Sequence, residues 1–430
     1  MISYNKSNIG SLCLLYFWLV AFKLILEASY VFILVESFTY VGYSLEFDVF
    51  RYVSSWLFYC IFFFYVKASF AVVMDYLSIT AVVALICPLL VLYGLDSARS
   101  FYPVFISMFS VLVIFLSYRF FMRQSLFSQV PRVKYGKSIA IFISSFFVAY
   151  LFAWYPLSGV SYNLSFSDVY EYRRQNHALS DFGLLAYLNF WVLKVFSVFV
   201  LAYSLLRKRY ALSLLMVLVF VSYYAANTHK SVLFTPFLVI GIWFYFSKYS
   251  KIYFFPMAMF FIILLSIFTF FYLDDVWLSA LFPNRVFLIP AHLTFSYFDF
   301  FSSNDYLFFS NSFLSSYFEY PYDKPLSYLI GDYAGNPGAA ANNGYISSGF
   351  AQGGVFICLI YSVLIGMLLS VIDRPILLGQ IPAWFALALF VVPMRDFLIN
   401  MDLLTTILTG GMFWAVILIY LSREKAVLRQ

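Results

Sequence analysis

Four residues whose types suit anion chemistry lie close together in the segment DVYEYRRQNHALSDFG: Arg173, Arg174, His177 and Asp181. If the segment is helical, Arg173, His177 and Asp181 fall at i, i+4 and i+8 and share one face. Guanidinium groups grip phosphate oxygens in pairs and stay charged at any working pH. An imidazole or a carboxylate beside them could take a proton from a hydroxyl. The competing reading is a solvated surface on which Glu171 and Asp181 pair with the arginines.

A second group begins at FPNRVFLIPAHLTFSYFDFF. Arg285 there is the only Lys or Arg between Lys251 and Lys324, set among apolar neighbours. An unpaired cation is costly in such surroundings, so Arg285 is expected either to pair with Asp274 or Asp275 or to bind an anionic ligand. The stretch IGDYAGNPGAAANNGYISSGFAQGG follows, rich in Gly, Asn and Ala. Its backbone N–H groups could approach an anion closely. It lacks the Gly-Lys-Ser/Thr of a Walker loop, and the alternative is a segment that turns sharply and dips beside a helix bundle. Further charges interrupt apolar runs: Lys23 with Glu27, Lys194, His229 with Lys230, and Arg395 with Asp396. Charge inside an apolar run marks function or buried pairing. Lys23 and Glu27 can neutralise each other at i, i+4, whereas Lys194 either snorkels or, being mid-helix, faces a cavity open to the outer side.

The elements that must position these groups follow from composition. Of 430 residues, 64% are hydrophobic and only 11% charged, which excludes an ordinary soluble domain. The chain is read as a single all-α, polytopic integral membrane domain over 1–430. A hydrocarbon core needs roughly 20 apolar residues per helix. About twelve segments meet that rule: 11–35, 53–67, 69–94, 103–120, 138–156, 185–206, 211–229, 232–247, 252–273, 354–372, 382–398 and 403–421. With the N-terminus cytoplasmic, the inside connections hold sixteen of the 26 Lys and Arg residues beside only Asp373 and Glu424. The positive-inside rule therefore puts both termini in the cytoplasm. Two outer segments, 155–183 and 273–353, are too long to be simple connectors. The second is rich in Phe, Tyr and Leu, and short amphipathic helices lying over a cavity are expected there, notably from Tyr297 to Tyr320. The four cysteines lie singly in apolar runs and only three histidines occur, so no metal site and no cofactor are expected. The basic residues are scattered over short loops, which argues against a nucleic-acid partner.

The pattern resembles the Wzy-type oligosaccharide repeat-unit polymerases, or O-antigen polymerases, of bacterial envelopes. The resemblance spans the chain and rests on about twelve helices with inside termini, two sizeable outer loops, and the stretches NRVFLIPAHLTFSYFDFF, ANNGYISSGFAQGGVFICLIYSVLIG and MRDFLINMDLLTTILTGG. Members are described as carrying an Arg followed at a set distance by Gly in their periplasmic loops. Arg173 and Gly183 fall one residue short of that spacing, and Arg285 has no Gly there. The resemblance implies an inner-membrane glycosyltransferase with a periplasmic active face that needs no metal or nucleotide sugar. Its donor and acceptor would be undecaprenyl-diphosphate-linked oligosaccharides, with a flippase and a chain-length regulator as candidate partners. Arg173, Arg174, Arg285 and Arg395 are then the expected diphosphate binders, and Asp181, His177 and Asp396 the candidate bases. A flippase for the same lipid-linked units is the competing class, although flippases and related carriers usually show two related halves. The O-antigen ligase shares the helix count and a large loop.

Overall fold

The computed structural model describes residues 6–124, 130–165, 172, 176, 183–312 and 314–424. Every regular element among them is a helix. In chain order these are α1 (Ile9–Ser37), α2 (Val49–Tyr65), α3 (Val73–Leu95), α4 (Phe101–Arg123), α5 (Gly136–Leu157), α6 (Leu184–Leu206) and α7 (Tyr210–Asn227). There follow α8 (Lys230–Phe246), α9 (Phe254–Leu273), α10 (residues 277–301), α11 (Leu326–Tyr333), α12 (Tyr345–Leu377), α13 (Ala383–Ile399) and α14 (Leu403–Leu421). Each of the twelve predicted segments falls on one of these helices. Nine helices among the described residues are long and apolar enough to cross a membrane. By length and composition the chain is a multi-pass helical membrane protein.

Two helices form the centre. The apolar window of α3 is buried along its whole length. Along α13 every residue from Trp384 to Leu398 is buried except Arg395. Neither sequence has a polar stripe, and a helix apolar on all sides belongs inside a bundle. Helices α4 and α12 cross tightly because Gly366 has no side chain. A Cβ there would lie 1.9 Å from Ser117 Oγ and 2.8 Å from the Ile114 carbonyl oxygen.

Several of the connections expected on one side touch one another. Lys251 Nζ donates to Ser11 Oγ at 2.5 Å, and Phe70 N–H donates to the Ser250 carbonyl. Asp373, at the end of α12, accepts from the Val73 and Met74 N–H groups that open α3, at 2.8 and 3.1 Å, and from Tyr118 OH at 3.0 Å. Lys137 pairs with Glu424, and Arg423 donates to the carbonyls of Val130 and Pro131. We call this the basic end.

The long segment 273–353 departs from its expectation. Instead of a short amphipathic start, α10 continues for 25 residues, and Ala291–Phe298 are all buried. Its aromatic residues pack inward: Phe298 stacks on Phe350 with centroids 3.8 Å apart. Residues 302–312 and 314–325 consist of turns and irregular backbone, and only α11 is a short helix. The glycine-rich segment dips beside the bundle, one of its two expected readings. Within α12 the backbone leaves helical geometry at Gly353 and Gly354, where Gly354 takes φ +67°. Residues 345–352 fold back on 355–377, so that a Cβ on Gly349 would be only 3.4 Å from Cys358 Cα, while Cys358 Sγ meets the Ile346 carbonyl at 3.2 Å. A continuous helix would separate residues nine apart by roughly 13 Å. Only glycine occupies the left-handed region without steric cost, so the hairpin depends on Gly354.

Replacing Gly366 with Leu should destabilise the bundle by about 3 kcal/mol or more through overpacking. Gly241 has nothing within 4 Å of its Cβ position, so Gly241→Leu should leave the melting temperature in detergent within a few degrees of wild type. Equal melting of the two variants would contradict the close α4–α12 crossing.

Candidate functional site

Away from the basic end, one cluster of charge among the described residues is built on α6 and α13. Asp396 is fully buried, and its Oδ2 accepts from Lys194 Nζ at 2.6 Å. Its Oδ1 accepts from Arg395 at 2.6 Å through NH2 and at 3.2 Å through Nε, and from Asn400 Nδ2 at 3.4 Å. The Lys194 side chain is 17% exposed and that of Arg395 46%. Two cations on one carboxylate leave a net positive charge whose exposed part is the guanidinium.

Local backbone geometry delivers both cations. Lys194 lies on a π-helical turn, Val192–Phe196, inside α6. Such a turn inserts a residue and redirects the side chains on it, a feature common at functional sites. Trp191 Nε1 donates to the Leu408 carbonyl at 2.8 Å, which fixes this part of α6 against α14. On α13, the Asn400 and Met401 N–H groups close the helix by donating to the Asp396 carbonyl at 3.0 and 2.7 Å. Asp402 then caps α14, accepting from Leu404 N–H at 2.8 Å and from Tyr361 OH at 3.1 Å. The re-entrant half-helix starts close by, since a Cβ on Gly344 would sit 2.0 Å from the Leu398 carbonyl oxygen. Beneath it Asn343 Nδ2 donates to Pro290 O, Thr294 Oγ1 and Ser347 Oγ at 2.9–3.1 Å. The hairpin, α10 and α13 are thereby held in register around the cluster.

The other expected residues distribute as follows. Arg173, Arg174, His177 and Asp181 lie outside the described residues. Residues flanking them attach to the end of α7: Asn163 N–H and Asn176 Nδ2 donate to the Ala225 and Ala226 carbonyls at 2.7 and 2.8 Å. Arg285 is exposed on a π-helical stretch of α10, Ala280–Leu288. Neither Asp274 nor Asp275 forms an ion pair with it among the described residues, and Asp275 instead caps the Trp277 N–H at 2.8 Å. No hydrogen bond or ion pair among the described residues links Arg285 to Arg395. Lys23 and Glu27 pair with each other in a buried site, completed by Ser55 at 3.2 Å and the Trp56 ring at 4.0 Å. Their neutralising role is structural. No group of three His, Cys, Asp or Glu suited to a metal occurs among the described residues.

A second polar group was not singled out from the sequence. Arg99 donates through Nε to buried Asp96 at 2.8 Å and through NH2 to the Gly42 carbonyl at 3.0 Å. Arg51 NH1 in turn reaches the Arg99 carbonyl at 2.6 Å. Next to them His292 on α10 is 6% exposed, its ring set edge-on to Tyr43, and among the described residues neither ring nitrogen has a partner. Burial, reinforced by the positive Arg99, pushes the imidazole pKa down to about 3. The i, i+3 spacing of Asp96 and Arg99 was the available signal, but nothing in the sequence places His292 beside it.

Comparison with family models, with curated proteins and with solved structures finds no match for the chain. The functional reading therefore rests on the site itself.

Removing Asp396 alone should leave Lys194 and Arg395 uncompensated and cost about 3–5 kcal/mol. The double replacement Lys194→Met, Asp396→Leu should recover much of the lost melting temperature, because an apolar pair of similar volume fits an apolar bundle and the half-exposed Arg395 is the one cation left without its partner. Full stability of Asp396→Ala in detergent would refute the pairing. His292 gives a pH prediction. Its folded pKa lies below the unfolded value near 6.5, so between about 3 and 6.5 the unfolded chain binds the extra proton. Stability should therefore fall as pH drops through that window, by at most about 1.4 kcal/mol per unit. His292→Phe should flatten the decline in melting temperature, and an unchanged profile would exclude His292 as its source.

Proposed function

We propose that this protein is a membrane-embedded glycosyltransferase of the O-antigen polymerase type. It lengthens an undecaprenyl-diphosphate-linked oligosaccharide by transferring the growing chain to the next lipid-linked unit. In this reading both termini are cytoplasmic, so the end opposite the basic one faces the periplasm, as the distribution of Lys and Arg favours. The observation that carries the proposal is the net-positive Lys194–Asp396–Arg395 cluster, whose only well-exposed member is a guanidinium on an otherwise buried helix. An anion of the size of a diphosphate is its natural complement.

The cluster suggests a division of roles. Both Asp396 oxygens are occupied by cations, so this carboxylate is a poor acceptor for the acceptor sugar's proton. We assign Asp396 as the positioning residue that aims Arg395 and Lys194, in place of a base. The cations would neutralise the donor diphosphate and stabilise the charge that grows on it as the glycosidic bond to the sugar breaks. The acceptor hydroxyl attacks the anomeric carbon, undecaprenyl diphosphate leaves, and the proton passes to a base, for which His177 and Asp181 are the remaining candidates. Arg173, Arg174 and Arg285 would hold the second lipid-linked substrate.

Banding of surface polysaccharide in a deletion strain tests the reading. Loss of the polymer ladder with a single repeat unit left on the lipid core is expected. A bare core with lipid-linked polymer accumulating would point to a ligase, and units trapped in the cytoplasm to a flippase. In the complemented strain Arg395→Ala should reduce polymer formation roughly 100-fold at normal protein levels. A wild-type ladder from that variant would remove the cluster from the chemistry.

A further inference from the structure

The basic end holds a feature that the proposed chemistry does not use. Four helix ends meet there: the starts of α5 and α13 and the ends of α6 and α14. They enclose a cavity of about 240 Å³, adjoined by a shallower one of about 450 Å³ that shares Lys137 and Glu424. The rim is cationic. Lys137 and Arg207 line the first cavity, Arg132 and Arg423 the second, and Glu424 is the one carboxylate in either lining. Four cations against one carboxylate leave a surplus of three positive charges. Glu424 pairs with Lys137 and stands 3.8 Å from Arg207, and these contacts hold its carboxyl below the usual range, with the Lys137 hydrogen bond the largest cause.

The floor differs from the rim. Leu206, Ile381, Phe385 and the ring of Tyr203 make it apolar. Two of the lining residues carry a buried polar atom with no partner among the described residues: Ser422 Oγ, on a residue only 6% exposed, and Gln380 Oε1. A buried hydroxyl left without a hydrogen bond costs about 1–3 kcal/mol, which a bound polar group would remove. The start of α5 adds positive helix-dipole potential, and Gly136 permits it because a Cβ there would lie 2.6 Å from the Leu421 carbonyl oxygen.

We propose that this cavity binds the headgroup of an anionic phospholipid. The phosphate would lie among Lys137, Arg207 and Arg132, Ser422 would donate to it, and the glycerol and first acyl carbons would cover the apolar floor. Free phosphate would satisfy the cations but leave the floor uncovered, so the amphipathic ligand fits better. Basic pockets between helix ends at the headgroup level are suited to such lipids. The site joins α6 to α13, the two helices that carry Lys194 and Asp396, so a bound lipid would brace the pair at the opposite end. The inference stands apart from the glycosyltransferase reading, since it concerns the other end of the bundle and its test needs no activity.

The test uses the full-length protein in a neutral detergent, titrated with phosphatidylglycerol, phosphatidylcholine or inorganic phosphate while bound lipid is counted by native mass spectrometry. Phosphatidylglycerol should bind and raise the melting temperature, and phosphatidylcholine should do neither. Arg207→Gln is a change at a half-exposed position that the fold should tolerate, and it should weaken phosphatidylglycerol binding at least three-fold; Lys137→Gln with Arg207→Gln should weaken it about ten-fold or more. Ser422→Ala should weaken binding while keeping every charge. Lys324→Gln, at an exposed position outside the cavity, should change nothing. Equal binding of both lipids, equal protection by inorganic phosphate, or unaltered binding to Arg207→Gln would each overturn the proposal.

Discussion

Inside an apolar bundle an ionised carboxylate persists only where cations or N–H groups are brought to it. Five carboxylates are buried among the described residues: Glu27, Asp75, Asp96, Asp373 and Asp396. Each is satisfied, and in doing so it fixes where chain segments meet. Glu27 and Lys23 bind α1 to α2 through Tyr52 and Ser55. Asp75 gathers Lys67 and the Ala71 and Val72 N–H groups at the start of α3. Asp373 ties α12 to α3 and α4, Asp96 holds Arg99 against the 42–46 segment, and Asp396 joins α13 to α6. Shape-matching of Phe and Leu alone would allow these helices to slide and rotate. A charged partner at hydrogen-bond distance does not.

The five differ in how much charge they leave over. Glu27 with Lys23, Asp75 with Lys67 and Asp96 with Arg99 are one-to-one pairs. Asp373 is held by two backbone N–H groups and a phenol. Asp396 alone among them collects two full positive charges, and one of these reaches the surface. That imbalance separates a structural pair from a group able to attract an anion. The basic end repeats the imbalance around Glu424, at a position where lipid headgroups would be expected.

How far the sequence carried this reading can be judged from particular residues. Apolar runs located the helices because a buried or lipid-facing helix needs them in unbroken length, and the isolated Arg285, Arg395 and Asp396 stood out against them. The i, i+4 spacing of Lys23 and Glu27 foretold their pairing because helix geometry is local. The length and burial of α10 were not legible, since the stretch around Pro283, Asn284 and Arg285 read as the opening of a long outer segment. The structure absorbs them in a π-helical stretch, where Tyr43 OH meets Asn284.

What the sequence alone determined is therefore the set of local quantities: helix positions, the charge asymmetry between connections, and the glycines at 353 and 354 that permit a reversal. The tertiary structure decided which charges meet. Lys194 and Asp396 are 202 residues apart, and Val73 and Asp373 are 300 apart. No periodicity links such positions, because their proximity depends on how a dozen helices pack and not on the spacing along any one of them. For the same reason the cavity among four helix ends, with Ser422 in its lining, exists only once the bundle is assembled.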